Sequence, residues 1–181
     1  MSHHALAETR AWVERAVIGL QLCPFARAPQ VKGQVRYVVS EASDTATLLE
    51  ALIDELQRLA DEPAERVETT LLIHPSVLID FDDFNDFLGI AEAAVLELGL
   101  EGVLQVASFH PRYQFAGTAA DDLGNATNRS PHPTLHLLRE ASMDRAVAAF
   151  PDAAAIYENN METLRRLGRA GWDALGVGPS A

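Results

Sequence analysis

The sequence predicts an α/β fold: a small sheet of three parallel strands covered by helices, in the order α-β-α-β-α-β-loop-α-α, with an α+β arrangement left open. Three observations predict it. Helix-like and strand-like hydrophobic periods alternate along the chain. Two of the strand-like segments end at the same dipeptide, His-Pro. The alternation then breaks once, over residues 110–133, where neither period holds. Strands and helices in alternation argue for parallel strands joined by right-handed crossovers. So small a sheet fits both a ferredoxin-like variant and a three-layer sandwich.

Residues 6–22 carry Val13, Val17 and Leu20 at helical spacing, widened by Trp12 and Ala16, and Pro24 stops the helix. The β-branched run 34–40 predicts the first strand. Ser43 or Asp44 can cap a helix over 45–60 with Leu48, Leu52, Leu56 and Leu59 on its inner face. A second strand, 67–73, stops at His74-Pro75, because proline cannot continue a ladder. Asp80, Asp82 or Asp83 can open a third helix built on Phe81, Phe84, Leu88, Ala91, Val95 and Leu98, closed near Gly99. The third strand, 103–109, ends at His110-Pro111. Helical patterns return at 134–149 and 152–175, with Pro151 in the first turn of the last helix. The chain reads as a single domain, 1–181, whose ends 1–5 and 177–181 are expected to fray.

Acidic residues number 26 against 14 basic ones, a net charge of -12. That field repels nucleic acid and anionic membranes, so neither is an expected partner. The lone Cys23 excludes an intramolecular disulfide. There is no secretory leader pattern and no apolar run of roughly 18 residues. A cytoplasmic protein is expected.

If the second and third strands run parallel, His74 and His110 meet at the carboxyl edge of the sheet, where ligands of open α/β sheets bind. The 110–133 stretch leaves from that edge with Tyr113, Phe115 and Leu123 as apolar anchors. An unpatterned loop of about 20 residues in a compact domain is usually functional or disordered, and these anchors favour an ordered one. Arg112 and Arg129 are planar forks suited to carboxylate or phosphate. Asn125 and Asn128 offer donors and acceptors. Ser130 and Thr134 stand just before a predicted helix, whose free N–H groups can hold an anion. Tyr113 and His132 complete the expected binding set. His110, His136 and His74 are candidate proton carriers and Cys23 a candidate nucleophile.

Each residue has a structural alternative. The histidines can end strands and bond loop carbonyls, and the arginines can staple the loop down. Cys23 sits at a predicted helix end, where the dipole raises a thiol pKa, so a packed, inert thiol is favoured. His132 and His136 have i, i+4 spacing, but Pro131 and Pro133 keep His132 out of a helix, and no native metal is expected. The sequence holds no glycine-rich phosphate loop, G-x-G-x-x-G, G-x-S-x-G or H-E-x-x-H. No nucleotide cofactor is therefore read, and the cofactor stays unknown.

Three segments carry a resemblance: LCPFA, FHPRYQFAG and NRSPHPTLHLLRE. With them the chain, over about residues 6–177, resembles a family of small uncharacterised bacterial proteins, a domain-of-unknown-function family. The resemblance implies a bacterial cytosolic setting and transfers no activity and no residue role. Two readings follow from the residues. The favoured one is an enzyme acting on a small anionic metabolite held by Arg112 and Arg129. The alternative is a non-catalytic module that binds a small ligand or a protein, a homo-oligomer among its forms.

Overall fold

A computed structural model describes residues 2–149 and 153–178. Pro151 lies outside the described residues. The first helix, α1 (Ser2–Trp12), starts before the expected residue 6 and runs into a π-helical segment, Val13–Ile18. Residues 2–5 are thus helical rather than frayed, and Ala5 is buried. A short α2 (Arg27–Val31) leads to β1 (Val35–Val39). Then come α3 (Thr45–Asp61), β2 (Thr69–Ile73), α4 (Phe81–Glu97) and β3 (Leu104–Phe109). Asp44 and Asp80 cap α3 and α4 by accepting the N–H groups of Thr47 and Asp82. A 3₁₀ segment, Leu123–Asn128, precedes β4 (Thr134–Arg139), α5 (Glu140–Ala149) and α6 (Ala153–Ala174), the last kinked at Gly168.

The sheet has four strands in the order β1-β2-β4-β3, and this corrects the expected three-stranded parallel sheet. β1 and β2 are parallel, whereas β4 runs antiparallel to both β2 and β3. The fourth strand occupies 134–139, which the leucine spacing had predicted as helix. The crossover from β2 through α4 to β3 leaves a slot between those strands. A segment inserted there satisfies the inward backbone groups of both neighbours, and that outweighs the modest helix propensity of leucine. Leu135 and Leu137 then share one face, and His136 and Leu138 the other. Because β2 and β3 are each antiparallel to β4, they still point the same way.

Helices cover both faces. On one, Leu72, Leu104, Leu135 and Leu137 pack against Leu48, Leu52, Leu56 and Leu59 of α3 and Phe84, Phe87 and Ala91 of α4. On the other, Leu71 packs with Trp12, Val13, Ala16, Leu164 and Trp172, drawn from the two ends of the chain, and Tyr37 and Phe109 flank them.

Candidate functional site

The two His-Pro corners do converge. His74 and His110 both lie against Phe84, with ring centroids 5.7 and 5.0 Å away, and both are buried. Their nitrogens point into the fold. His110 Nδ1 accepts the Arg112 N–H at 3.0 Å, so Nε2 carries the proton and donates to the Leu78 carbonyl at 3.1 Å. Leu78 is a non-glycine residue at φ 57, and this bond helps to hold it there. His74 donates from Nδ1 to the Val77 carbonyl at 2.9 Å, leaving Nε2 buried with no partner among the described residues. Burial pushes its pKa down to about 4, so the ring is neutral. His110 is lowered by the same cause. Together the rings pin the turn between β2 and α4.

The 110–133 loop is ordered by its own polar groups. Arg112 donates to the Ile79 carbonyl at 2.8 Å and to Asp80 at 3.1 Å. Arg129 donates to the carbonyls of Tyr113 and Ala120. Asn125 is fully buried; its Oδ1 accepts from Phe115 N–H and the Thr118 hydroxyl, and its Nδ2 donates to Ala119. Asn128 donates to the Ser108 carbonyl at 3.4 Å. Tyr113 sits between Phe81, tilted against it, and Phe115, which it meets edge-on. His132 reaches the Glu8 carboxylate of α1 at 2.6 Å. Ser130 and Thr134 both donate to the His132 carbonyl. Thr134 does not precede a helix but opens β4, so the expected helix-start anion site is corrected: no helix N-terminus stands there. The expected binding side chains are gathered in one loop, each with a partner inside the protein.

His136 is elsewhere. The register sets it between Leu71 and Ala107, on the face that carries the terminal helices. It lines a cavity of about 270 Å³ whose walls are mainly apolar, with Trp12, Val13, Leu71 and Phe109 among them, and which Cys23, Glu68, Thr69, Arg139 and Ser142 also border. The Thr69 hydroxyl donates to the Leu137 carbonyl at 2.6 Å. It must then accept at 2.7 Å from His136 Nε2–H, which fixes the tautomer. Nδ1 makes no hydrogen bond among the described residues, and the half-buried ring leaves it open to the cavity. Burial pushes the His136 pKa down to about 4, so the ring is neutral and its Nδ1 an acceptor. The indole N–H of Trp12, buried in the same wall, also lacks a partner.

Cys23 stands just past the end of the π-helical segment, its N–H closing on the Val17 carbonyl at 3.5 Å. It lies in the turn before α2, where the N–H groups of Phe25 and Ala26 approach its sulfur. Those two donors lower its pKa, but burial outweighs them and the thiol is raised, so it is protonated at neutral pH. A wider cleft of about 530 Å³ between the Gly19–Pro24 turn and α6 is lined by polar groups, and Asn160 there is already bonded to the Leu22 carbonyl. Among the described residues no cluster of three His, Cys, Asp or Glu side chains forms a metal site. No described helix is long and apolar enough to cross a membrane.

His136 and Cys23 are legible in the sequence as candidates, whereas Trp12, Thr69 and Phe109, which share their cavity, are not. The signal available was the period-2 alternation of Thr-Leu-His-Leu, which turns His136 towards the Thr69 and Leu71 face once β4 is a strand. The model of one protein family, described as "Protein of unknown function (DUF1415)", matches residues 4–174. No curated protein matches the chain, and no solved structure does.

Proposed function

The chain belongs to DUF1415, a family whose description assigns no activity, and we propose from the geometry that it binds a small, mostly apolar molecule carrying one hydrogen-bond donor, in the cavity at His136. The observation that carries this reading is the free Nδ1 lone pair of a neutral histidine in a mainly apolar wall. A ligand O–H or N–H donated to that lone pair makes a hydrogen bond worth roughly 0.5–1.5 kcal/mol net. Small-molecule pockets have this composition: apolar walls with a few placed polar groups. The cavity is small, so a single ring or a short branched chain fits its volume.

An anionic ligand at Arg112 and Arg129 is less favoured, because both guanidiniums are bonded to backbone carbonyls. Catalysis is a second reading, favoured by one feature: Cys23 shares the cavity and receives two N–H groups at its sulfur. In that reading the Cys23 sulfur adds to the electron-poor carbon of a polarised double bond in the bound molecule, its S–H proton passes to His136, and His136 returns that proton to the atom that gains the electron pair.

Phenol and indole, each an aromatic ring with one donor, are the probes for thermal-shift titration. Binding at about 100 times the dissociation constant adds about 2.7 kcal/mol of apparent stability. His136→Phe is expected to keep the fold and lose that shift, and Ala107→Leu to lose it by filling the cavity. If neither probe raises the melting temperature, or if His136→Phe binds as well as the natural chain, the proposal is wrong. Stoichiometric alkylation of Cys23 by iodoacetamide in the folded protein, blocked by bound indole, supports the catalytic reading; a thiol that reacts only on unfolding removes it.

A further inference from the structure

β3 is an outer strand of the sheet, and its free side can be worked out group by group. The Glu140 N–H donates to the Val103 carbonyl, which extends the β3–β4 ladder by one pair. Residues 103, 105, 107 and 109 therefore turn their backbone groups towards β4. Leu104, Val106 and Ser108 turn theirs outward. Two of those outward groups are satisfied within the chain: Leu104 N–H donates to Leu100, and the Ser108 carbonyl accepts from Asn128. The Leu104 carbonyl, both backbone groups of Val106 and the Ser108 N–H have no partner among the described residues.

Natural proteins blunt such an edge with lysine, proline or a bulge. β3 reads Leu-Gln-Val-Ala-Ser-Phe, with no charge and no proline, and its register against β4 is unbroken. Beside it runs a groove with an apolar floor of Leu104, Val106 and, from α4, Ala93 and Leu96, bordered by Glu92, Glu101 and Glu140; Leu96 is 59% exposed.

We propose that β3 pairs antiparallel with β3 of a second copy, about a two-fold axis at Val106. The open pattern is symmetric about that residue, so the same strand reversed completes it. The Val106 N–H donates to the carbonyl of the partner's Val106, and the Ser108 N–H donates to the carbonyl of the partner's Leu104, each bond made twice. The two sheets become one of eight strands, an isologous contact of the commonest kind. Glu101 stands exposed in the turn before β3 and Arg112, exposed beyond its bond to Asp80, in the turn after it, so the reversed second copy brings opposite charges to each end of the strand pair. Leu96 closes over the groove from each side.

Sedimentation of the full chain at physiological salt, over a roughly hundredfold dilution series, tests this. The expected species weighs about 39 kDa, twice the 19.7 kDa chain, and dissociates on dilution. Hydrogen exchange gives a second, residue-level readout. In the dimer the Val106 and Ser108 amides are protected, and on dilution they exchange while those of Gln105 and Ala107 stay protected. Val106→Pro removes an outward N–H, a change an edge strand tolerates, and Leu96→Glu puts a charge in the groove. Both variants are expected to be monomers with an unchanged circular dichroism spectrum; should Val106→Pro fail to fold, Leu96→Glu and the exchange pattern decide. A chain that sediments as a monomer throughout overturns the proposal, and a monomer that gains protection at Val106 only with a basic peptide does so in favour of a different partner. A dimer that survives Leu96→Glu with freely exchanging Val106 and Ser108 amides overturns it as well.

Discussion

His74 and His136 are the two residues whose surroundings most oppose charge. Each has a pKa pushed from 6.5 to about 4 by burial, and His110 moves in the same direction. A folded-state pKa below the unfolded one means that the unfolded chain takes up protons which the folded chain refuses. The stability these neutral rings permit is complete above about 6.5 and is lost as pH falls through the window down to about 4. Each ring contributes up to about 1.4 kcal/mol per pH unit inside that window. The midpoint of urea unfolding is therefore expected to fall steeply between neutral pH and pH of about 4. His136→Phe is expected to make that fall shallower, by close to one proton's worth. A natural chain whose midpoint is level across the window would show that these rings are protonated in the folded state.

β4 shows how a single element can be misread while its neighbours are legible. The stripes of α3 and α4, the capping aspartates and the two His-Pro stops are local signals, and the structure keeps all of them. Nothing local separates β4 from α5: Arg139 ends the strand and Glu140 begins the helix, with no glycine or proline between. The convergence of His74 and His110 was legible because it needed only the common direction of β2 and β3. The cavity was not, because Trp12, Cys23, Thr69, Phe109 and His136 reach it from distant stretches of chain, and only the β4 register aims His136 at them. Arg139 fixes the far end of β4. Its guanidinium donates to the carbonyls of Leu59, Glu62 and Val67, holding the strand against the C-terminal end of α3, where helix carbonyls lack partners of their own. Arg139→Ala is expected to cost roughly 2–4 kcal/mol in urea unfolding, since it leaves several carbonyls unpaired. Lysine at the same place can meet fewer of them and should recover only part. An alanine variant as stable as the natural chain would mean that water replaces the guanidinium there.

At the scale of the whole molecule, one sheet serves as the wall between two cores of different origin. The α3–α4 side is built from consecutive segments, whereas the other side joins α1 and the π-helical segment to α6, the two ends of the chain. β2 couples them, because its successive residues Leu71 and Leu72 are buried in opposite cores. That coupling predicts a single cooperative transition for the natural chain. Both tryptophans, Trp12 and Trp172, lie in the core made by the chain ends, so their fluorescence reports on that layer alone. Far-ultraviolet dichroism reports on all helices. The two signals are expected to coincide in urea for the natural protein. Leu164 is fully buried in the tryptophan layer, and Leu164→Ala is expected to cost roughly 2–5 kcal/mol. That loss falls on one side of the wall, so the fluorescence midpoint should drop further than the dichroism midpoint, and the cavity at His136, walled by Trp12, should lose its ligand before the α3–α4 side unfolds. Coincident midpoints in Leu164→Ala would show instead that β2 transmits the loss across the sheet, leaving neither core able to stand without the other.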